Sequence, residues 1–185
     1  MITIIGAGPV GSYLAYLLAK KGKAVTIIED HKKIGNPVQC TGIVTGSIEK
    51  SIKLPNNIIA NRCNKVIVIS KNNRIEANTD EIVLWRNKFD EFMADTATDK
   101  GVKILTNHQF IDFNGKNTLK IKNKNNNKIA EIKSDIIIGA DGPSSVVAKS
   151  AGLNSNVKFY IGMQAKVELK TDLDKFETYF GSNFP

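Results

Sequence analysis

Three glycines near the start of the chain have the spacing of a phosphate-binding turn. Gly6, Gly8 and Gly11 form the arrangement G-x-G-x-x-G directly after the apolar, β-branched run Ile2–Ile5. In a dinucleotide site the first glycine permits a tight turn, the second lets a pyrophosphate approach the backbone, and the third lets helix and strand pack closely. The following helix would offer unpaired N–H groups and its positive dipole end to the phosphates. The motif therefore predicts a dinucleotide site, with a plain structural turn as the alternative.

An acidic residue stands where such a site needs one. The apolar run Ala24–Ile28 predicts a second buried strand, and Glu29 follows it. In this motif an acidic side chain about 20 residues after the glycines binds a ribose diol. A carboxylate there would repel a 2′-phosphate, which favours the ADP half of FAD or NAD. The alternative for Glu29 is a solvated carboxylate in a loop.

A later strand end carries another candidate. The apolar run Ile136–Ile138 leads into Gly139-Ala140-Asp141-Gly142, and a helix is predicted next. Asp141 and Gly142 could lie against the ribityl or phosphate groups of a cofactor, or Asp141 could cap the helix. Combined with the glycine turn and Glu29, this strand end is typical of a two-part FAD fold.

Three further candidates each have a structural alternative. Arg86 precedes a predicted amphipathic helix, where its guanidinium could bind a pyrophosphate or remain a surface cation. Phe110 could place its backbone against adenine or belong to the core. Cys40 lies in a glycine-flanked loop predicted to cross the cofactor, which favours a place in the site over the role of a buried apolar filler.

The histidines, the tryptophan and the number of cysteines indicate no further site. His31 and His108 are interpreted as surface or loop residues, and Trp85 as a packing residue. Cys40 and Cys63 are too few for a disulfide scaffold, which is consistent with a reducing compartment, and no metal-ligand spacing is present.

Composition excludes several classes of protein. The 185 residues are 42% hydrophobic and 24% charged, which is ordinary for a globular protein. The formal net charge of +8 comes from scattered lysines, so nucleic-acid binding is not expected, while a weak attraction to anionic lipid is compatible with it. The first core strand starts at residue 2, and no apolar run has the ~18 residues of a membrane span, which predicts a cytoplasmic chain.

The elements that must position these residues follow an α/β pattern. A strand, a helix ending at Gly22 and a second strand surround the glycine turn. After Glu29 we predict a loop to Thr45, a helical turn near Ser47–Lys53, and short strands at Val66–Ser70, Arg74–Ala77 and Ile82–Trp85. A helix at Asn87–Lys100, a strand at Val102–Leu105 and a meander follow; the meander has strands at Gln109–Phe113, Thr118–Ile121 and Ile129–Ile132 and a hairpin tip at Lys122–Lys128. The last predicted elements are a strand at Ile136–Ile138, a helix through Val146 to Ala151, and strands at Val157–Leu169 and Phe176–Phe180.

Three stretches resemble FAD enzymes of the p-hydroxybenzoate-hydroxylase-like fold. They are the glycine turn with Glu29, the loop Ile34–Gly42, and Trp85–Asp90 leading to Gly139–Gly142. Within that fold, Pro37-Val38-Gln39-Cys40 resembles the geranylgeranyl reductase family, especially the archaeal digeranylgeranylglycerophospholipid reductases. The resemblance covers the whole chain in order, and Tyr179–Pro185 is similar to the lead-in to the family's aromatic substrate-domain motif.

This resemblance implies a cofactor, a reaction and partners. The cofactor is FAD, and the reaction is the saturation of isoprenoid double bonds in membrane lipids or their precursors. The implied partners are an isoprenoid lipid, an external electron donor such as NAD(P)H or a ferredoxin-like protein, and the inner membrane face as a peripheral contact. Glu29 would hold the adenosine ribose, Val10 and Gly11 the pyrophosphate, and Arg86 and Phe110 the rest of the ADP portion. Cys40 would lie near the isoalloxazine, with the hypothetical role of proton donor, and Thr41 and Gly42 would be further cofactor-binding residues.

The resemblance also implies a domain organisation. Residues 1–153 would form a Rossmann-type FAD-binding domain with an inserted β segment at about 62–85, and residues 154–185 would begin an antiparallel substrate-domain sheet. Such enzymes continue for roughly another domain, so we expect a truncated substrate domain and do not expect autonomous catalysis. Two alternatives remain open. One is an aromatic monooxygenase or halogenase, which oxygen-dependent turnover would distinguish, and the other is a non-catalytic FAD-binding chain.

Overall fold

The computed structural model describes residues 1–153 and 158–181, which contain eleven strands and three α-helices. The strands are β1 Ile2–Ile5, β2 Val25–Ile28, β3 Ile43–Thr45, β4 Ile59–Ile69, β5 Arg74–Leu84, β6 Lys103–Leu105, β7 His108–Phe113, β8 Thr118–Asn123, β9 Ile129–Lys133, β10 Ile136–Gly139 and β11 Lys175–Tyr179; the helices are α1 Pro9–Lys20, α2 Arg86–Thr98 and α3 Val146–Ser150. Short 3-10 helices cover Gly46–Lys50 and Asn56–Ile58. The chain forms two compact units, the first from Met1–Val38 and Asn87–Phe159, the second from Gln39–Arg86 and Tyr160–Pro185.

A parallel sheet with the strand order β10-β1-β2-β6 organises the first unit. Successive residues of a strand point to opposite faces, so strands that are covered on both faces need apolar residues throughout. One core cluster joins Ile4 and Ile27 to helices α1 and α2, and another joins Ile5 and Ile28 to β7 and β8. The predicted α/β Rossmann-type class with a parallel sheet is confirmed.

A three-stranded antiparallel sheet, β7-β8-β9, supplies the second of these clusters. Phe110, Leu119 and Ile121 are its buried side chains. The Asn123 N–H donates to the Lys128 carbonyl oxygen (2.9 Å), which closes the asparagine-rich hairpin between β8 and β9. The predicted meander is confirmed.

The second unit contains a sheet with the order β11-β4-β5-β3, which we call the hairpin sheet. Strands β4 and β5 have eleven residues each and pair antiparallel, whereas three shorter strands were predicted over this stretch. Polar residues interrupt the apolar pattern of both strands, but backbone pairing continues through them because it does not depend on apolar side chains. The predicted loop to Thr45 is also wrong at its end, since β3 pairs with β5.

Two apolar runs differ from their predicted state. Ile136 of β10 is 54% exposed because β10 lies at the edge of the parallel sheet in the described part of the chain. No strand is formed by residues 158–169, so the strand predicted at Val157–Leu169 is wrong there, and Val157 lies outside the described residues. The strand predicted at Phe176–Phe180 is confirmed as β11, which pairs parallel with β4. Residues 182–185 of the predicted aromatic lead-in also lie outside the described residues.

Helices α1 and α2 end as predicted, each followed by a glycine with positive φ. Gly22 has φ 73° and Gly101 has φ 85°, the left-handed conformation that terminates helices. Helix α2 buries Phe89, Met93 and Ala97. None of the helices formed by residues 1–153 and 158–181 is long and apolar enough to cross a membrane.

Candidate functional site

The glycine turn lies at the carboxyl ends of β1 and β10. The Gly6 N–H donates to the Ile28 carbonyl oxygen and the Ala140 N–H donates to the Ile5 carbonyl oxygen, both at 2.8 Å, so three neighbouring strand ends are held together. Gly6 has φ 105°, and a Cβ atom on it would lie 2.3 Å from the Ala140 carbonyl oxygen. Only glycine fits this position without movement of the backbone.

Gly8 and Gly11 differ in the space that an added Cβ atom would have. A Cβ atom on Gly11 would lie 2.0 Å from the Gly6 carbonyl oxygen, so α1 packs directly on the turn. A Cβ atom on Gly8 would meet no atom of the described chain within 4 Å, and the Gly8 φ of −66° suits any residue. The packing of the chain therefore requires Gly11 but not Gly8, and the space beside Gly8 is open to an approaching group.

Helix α1 begins at this open space. Gly8 is its N-cap and Pro9 its first residue, no side chain caps it, and no acidic residue lies in its first turn. Because the first amides of a helix have no acceptor inside it, the Val10 and Gly11 N–H groups are available to an anion, and the helix dipole adds positive potential. Val10 itself is exposed. These features suit a phosphate.

The Glu29 carboxylate is buried beside the turn. Its Oε2 atom accepts the Ala7 N–H (2.7 Å), and its Oε1 atom accepts the His31 N–H (2.9 Å). Glu29 is 7% exposed, so the alternative of a solvated loop carboxylate is wrong. The end of β2 thus presents a fixed carboxylate next to the glycine turn, as recognition of a ribose diol requires.

His31 is half-buried and lies against this carboxylate. Its Nδ1 atom is 2.7 Å from Glu29 Oε1 and 2.8 Å from Asp30 Oδ1, and Asp30 Oδ2 is 3.7 Å from Lys124 Nζ. His31 lies in a loop, as interpreted from the sequence, and it also contacts the Glu29 carboxylate. Ligand atoms of Glu29, Asp30 and His31 lie within 4.8 Å of one another, but they bond to one another and to neighbouring groups, and we assign no metal to them.

Asp141, at the neighbouring strand end, accepts hydrogen bonds from the start of α3, whose N-cap is Ser145. Its Oδ1 atom accepts the Ser145 hydroxyl (2.6 Å), its Oδ2 atom accepts the Val147 N–H (3.1 Å), and Ser145 Oγ accepts the Ala148 N–H (2.9 Å). Gly142 follows with φ 82°. Asp141 also lies beside the glycine turn, because a Cβ atom on Gly6 would be 3.2 Å from its Cα atom.

Phe110 belongs to the core by its side chain. It is buried with Leu119 and Ile121, and its ring centroid is 5.0 Å from that of Phe113. The start of its strand adjoins the end of β2, since the His108 N–H donates to the Glu29 carbonyl oxygen (2.9 Å).

The other four candidates are described within the second unit. Cys40 and Thr41 are exposed, and the Gly42 N–H lies 3.5 Å from Cys40 Sγ. Gly42 has φ 84°, and a Cβ atom on it would lie 2.3 Å from the Leu84 carbonyl oxygen and 3.3 Å from Arg86 Cγ. The structure therefore places Gly42 against Arg86 and leaves the Cys40 thiol accessible.

Cys63 and Trp85, in the same unit, have surroundings different from those of Cys40. Cys63 is buried, and the desolvation of its thiol, followed by the charge of Asp174, raises its pKa. Trp85 is 44% exposed, with Lys166 Nζ 5.5 Å from its ring centroid, so its interpretation as a packing residue is wrong.

The structure brings together one group of candidates. This group lies at the carboxyl ends of β1, β2 and β10, where ligands bind in open α/β sheets. Its members are Gly6, Gly8, Val10, Gly11, Glu29, Asp141 and Gly142. Sequence reasoning missed two contributors, the Ala7 amide and His31. The amide is implied by the turn itself, and the only signal for His31 is its place two residues after Glu29.

This geometry fits the ADP part of FAD. The open space at Gly8 and the start of α1 suit a pyrophosphate, and the buried Glu29 carboxylate beside them suits the ribose. The same carboxylate disfavours a 2′-phosphate at that position.

Comparisons with known proteins agree with this fit. Residues 1–181 match the family described as the FAD binding domain. An uncharacterised protein from the nifH2 5′ region of Methanosarcina barkeri is 30% identical over 82% of this chain and 87% of its own length. Digeranylgeranylglycerophospholipid reductase 3 of Methanosphaera stadtmanae is 32% identical over 84% of this chain, but over only 42% of its own length.

A solved structure is similar over almost the whole chain. It is a geranylgeranyl bacteriochlorophyll reductase-like protein from Thermoplasma acidophilum, with a TM-score of 0.83 and 28% identity over 98% of this chain and 50% of its own. The chain thus spans about half the length of these two relatives. It belongs to the FAD-binding domain family, its cofactor is FAD, and the resemblance to geranylgeranyl-reductase-like flavoproteins predicted from the sequence is confirmed.

Proposed function

We propose that this chain is the FAD-binding part of an oxidoreductase that reduces C=C bonds of isoprenoid membrane lipids or their precursors. The observation that carries the proposal is the buried Glu29 carboxylate, held by the Ala7 amide beside the open face of Gly8. Similarity to a digeranylgeranylglycerophospholipid reductase supports the class of substrate. When bound, FAD supplies the hydride chemistry that saturates an alkene.

The first unit would bind most of the ADP portion of the cofactor. Glu29 binds the adenosine ribose, and the Val10 and Gly11 amides at the start of α1 bind the pyrophosphate across the space left by Gly8. Asp141 and Gly142, at the next strand end, lie against the ribityl or phosphate groups. The Phe110 backbone lies against adenine, in the strand whose first residue bonds to the Glu29 carbonyl oxygen.

The family resemblance gives cofactor-binding roles to four further residues. Arg86 would bind part of the ADP portion, Cys40 would lie near the isoalloxazine, and Thr41 and Gly42 would be further cofactor-binding residues. We assign Cys40 the role of proton donor to the alkene carbon opposite the hydride, because its thiol is exposed and Gly42 alone is its hydrogen-bond partner among the described contacts.

The proposal extends to domains, partners and location. Residues 1–153 are the FAD-binding domain with an insertion at about 62–85, and residues 154–185 begin the substrate domain. The electron donor is external, either NAD(P)H or a ferredoxin-like protein. The protein works in the cytoplasm at the inner membrane face, where the net charge of +8 favours contact with anionic lipid.

The cofactor part of the proposal is tested with purified protein and two variants. Glu29→Gln keeps the size of the side chain but removes its charge, and hydrogen bonds to a charged group contribute about 1.5–3 kcal/mol, so we expect roughly a tenfold to hundredfold rise in the FAD dissociation constant. Glu131→Gln, the same change on an exposed strand of the same unit, should leave binding unchanged. Equal loss in both variants would contradict the ribose role of Glu29.

The reaction is tested by mass spectrometry of a lipid substrate. The chain is joined to the half of the Thermoplasma protein that it does not match, loaded with FAD and reduced with dithionite. It is then mixed with digeranylgeranylglycerophospholipid vesicles, and each saturated bond adds two hydrogen atoms. Cys40→Ala should retain FAD and lower the rate of saturation. Bound FAD with an unchanged lipid would support the non-catalytic alternative, and oxygen-dependent hydroxylation of an aromatic compound would support the monooxygenase.

A further inference from the structure

The Glu29 carboxylate is almost fully occupied by hydrogen bonds from its own chain. Its Oε2 atom accepts the Ala7 N–H (2.7 Å), and its Oε1 atom accepts the His31 N–H (2.9 Å) and lies 2.7 Å from His31 Nδ1. An ionised carboxylate has about four lone-pair sites, two on each oxygen. The backbone and the ring of His31 therefore fill both sites of Oε1, while Oε2 keeps one site free.

A ribose diol needs more than this one site. Each of its two hydroxyl groups donates one hydrogen bond, so the diol requires two acceptor sites on the Glu29 carboxylate. The carboxylate is buried, and the Ala7 N–H fixes its Oε2 atom, so it cannot simply turn to offer another oxygen. Both hydroxyls can bind only when the His31 ring leaves Oε1.

Asp30 offers the ring a second acceptor. His31 Nδ1 lies 2.8 Å from Asp30 Oδ1, almost as close as it lies to Glu29. A deprotonated Nδ1 would point its lone pair at two anionic oxygens, so this nitrogen carries a proton even when the ring is neutral. The His31 side chain is 42% exposed, which leaves it room to turn away from Glu29 while it keeps its bond to Asp30.

We propose that His31 is a positioning residue that controls the access of the adenosine ribose to Glu29. In the free chain its ring occupies Oε1, and the binding of FAD moves the Nδ1–H hydrogen bond to Asp30 alone. A protonated ring holds the carboxylate more strongly, because hydrogen bonds with charged partners are roughly twice as strong as neutral ones. FAD should therefore bind more weakly when His31 is protonated. This inference rests on the proposed ribose role of Glu29.

Charged groups of two elements lie around the ring. Glu29 and Asp30 belong to the end of β2 and its loop, and Lys124 Nζ, from the hairpin between β8 and β9, lies 3.7 Å from Asp30 Oδ2. The turn between β6 and β7 contributes an uncharged group, since the Asn107 N–H donates to the His31 carbonyl oxygen (3.1 Å). Carboxylate and ammonium groups ordinarily keep their charge between about pH 5.5 and 8, whereas histidine is the side chain that changes its charge there.

FAD titration of the intact chain as a function of pH tests the proposal. The dissociation constant should rise roughly fivefold to tenfold from about pH 8 to about pH 5.5. His31→Asn places a neutral amide donor near the position of Nδ1 and cannot be protonated, so it should bind FAD equally well at both pH values. A purely structural role of His31 would instead change the dissociation constant by the same factor at both.

The second histidine of the chain provides a matched control. His108 donates its N–H to the Glu29 carbonyl oxygen (2.9 Å), and its Nδ1 atom lies 2.7 Å from the Thr106 carbonyl oxygen. His108→Asn keeps the backbone N–H and an amide donor near Nδ1, and it should retain the pH dependence of the parent chain. Loss of the pH dependence in this variant instead of in His31→Asn would overturn the proposal.

An FAD analogue without the adenosine 2′-hydroxyl tests the competition directly. It needs one acceptor site, which Oε2 keeps free, so its dissociation constant should be nearly the same at both pH values. Equal pH dependence for FAD and the analogue, or binding of FAD by the parent chain that does not depend on pH, would overturn the inference.

Glu29→Gln separates this inference from the proposed function. If the variant weakens FAD binding while the parent chain shows no pH dependence, the ribose role of Glu29 stands and only the role of His31 fails. If the variant binds FAD as the parent does, the ribose role and the inference fail together.

Discussion

At the scale of single residues, Gly11 and Gly8 of the same turn have different roles: the first is needed for folding and the second for cofactor binding. A Cβ atom on Gly11 would lie 2.0 Å from the Gly6 carbonyl oxygen, so Gly11→Ala should destabilise the chain by about 1–3 kcal/mol and lower its melting temperature by several degrees. Gly8→Ala meets open space and should melt within about 2 °C of the parent, yet weaken FAD binding because the new methyl group occupies phosphate space.

Thermal unfolding without cofactor and FAD titration measure these two effects separately. The reverse result, a destabilised Gly8→Ala and an intact Gly11→Ala, would show that the turn has another geometry.

The two cysteines should differ in reactivity. The Cys40 thiol is exposed, whereas Cys63 is buried and has a raised pKa, chiefly from desolvation. A raised pKa means less thiolate at a given pH, and the thiolate is the reactive form. At pH 7.5 we expect iodoacetamide to modify only Cys40 in the folded protein and both cysteines in urea. Peptide mapping by mass spectrometry assigns the label, and rapid labelling of Cys63 in the folded chain would contradict its burial.

Single residues were predictable where a local motif fixes them. The spacing of Gly6, Gly8 and Gly11 and the position of Glu29 are visible in the sequence because strand, turn and helix follow one another without interruption. His31 was not predictable as a partner of Glu29, since its contact depends on the side-chain geometry of a loop. Trp85 is a large aromatic residue that usually packs, but its position after β5 leaves it half-exposed.

At the scale of elements, Asp141 determines how α3 begins. Its carboxylate accepts the Ser145 hydroxyl and the Val147 N–H, and Val147 packs in a core cluster. Asp141→Ala should therefore destabilise the chain without cofactor by about 1–2 kcal/mol, as the loss of a helix cap does. The urea midpoint measures this, with Ser144→Ala at an exposed neighbouring position as the control. An unchanged midpoint would leave Asp141 with a purely ligand-binding role.

Elements were predictable to the extent that their partners lie nearby in sequence. The strands β1 and β2 and the meander β7-β8-β9 were found because their apolar pattern and turns are local. The predicted strands of the β4–β5 hairpin are too short, because polar residues interrupt the apolar pattern while the backbone pairing continues through them. The predicted strand is absent from residues 158–169, because an alternating pattern shows only which side chains a segment could bury. Forming a strand also requires a neighbouring strand with which to pair.

At the scale of the whole molecule, FAD should stabilise the folded chain by mass action. A ligand that binds only the folded state contributes about 2.7 kcal/mol at one hundred times its dissociation constant, which raises the melting temperature by roughly 5–11 °C for a chain of this size. FMN lacks the adenosine half that the Glu29 edge is proposed to bind and should give a much smaller rise. Differential scanning fluorimetry compares the two, and equal shifts would contradict an ADP-binding edge.

The arrangement of the parallel sheet has a consequence for synthesis on the ribosome. Strand β1 is flanked by β2, which starts 23 residues later (25 − 2), and by β10, which starts 134 residues later (136 − 2). At a translation rate of about 5–20 residues per second, β10 is synthesised roughly 7–27 s after β1, and until then β1 has no partner on that side. The glycine turn is therefore among the first segments made, but its neighbour Ala140 is among the later ones, so cofactor capture follows translation of nearly the whole first unit.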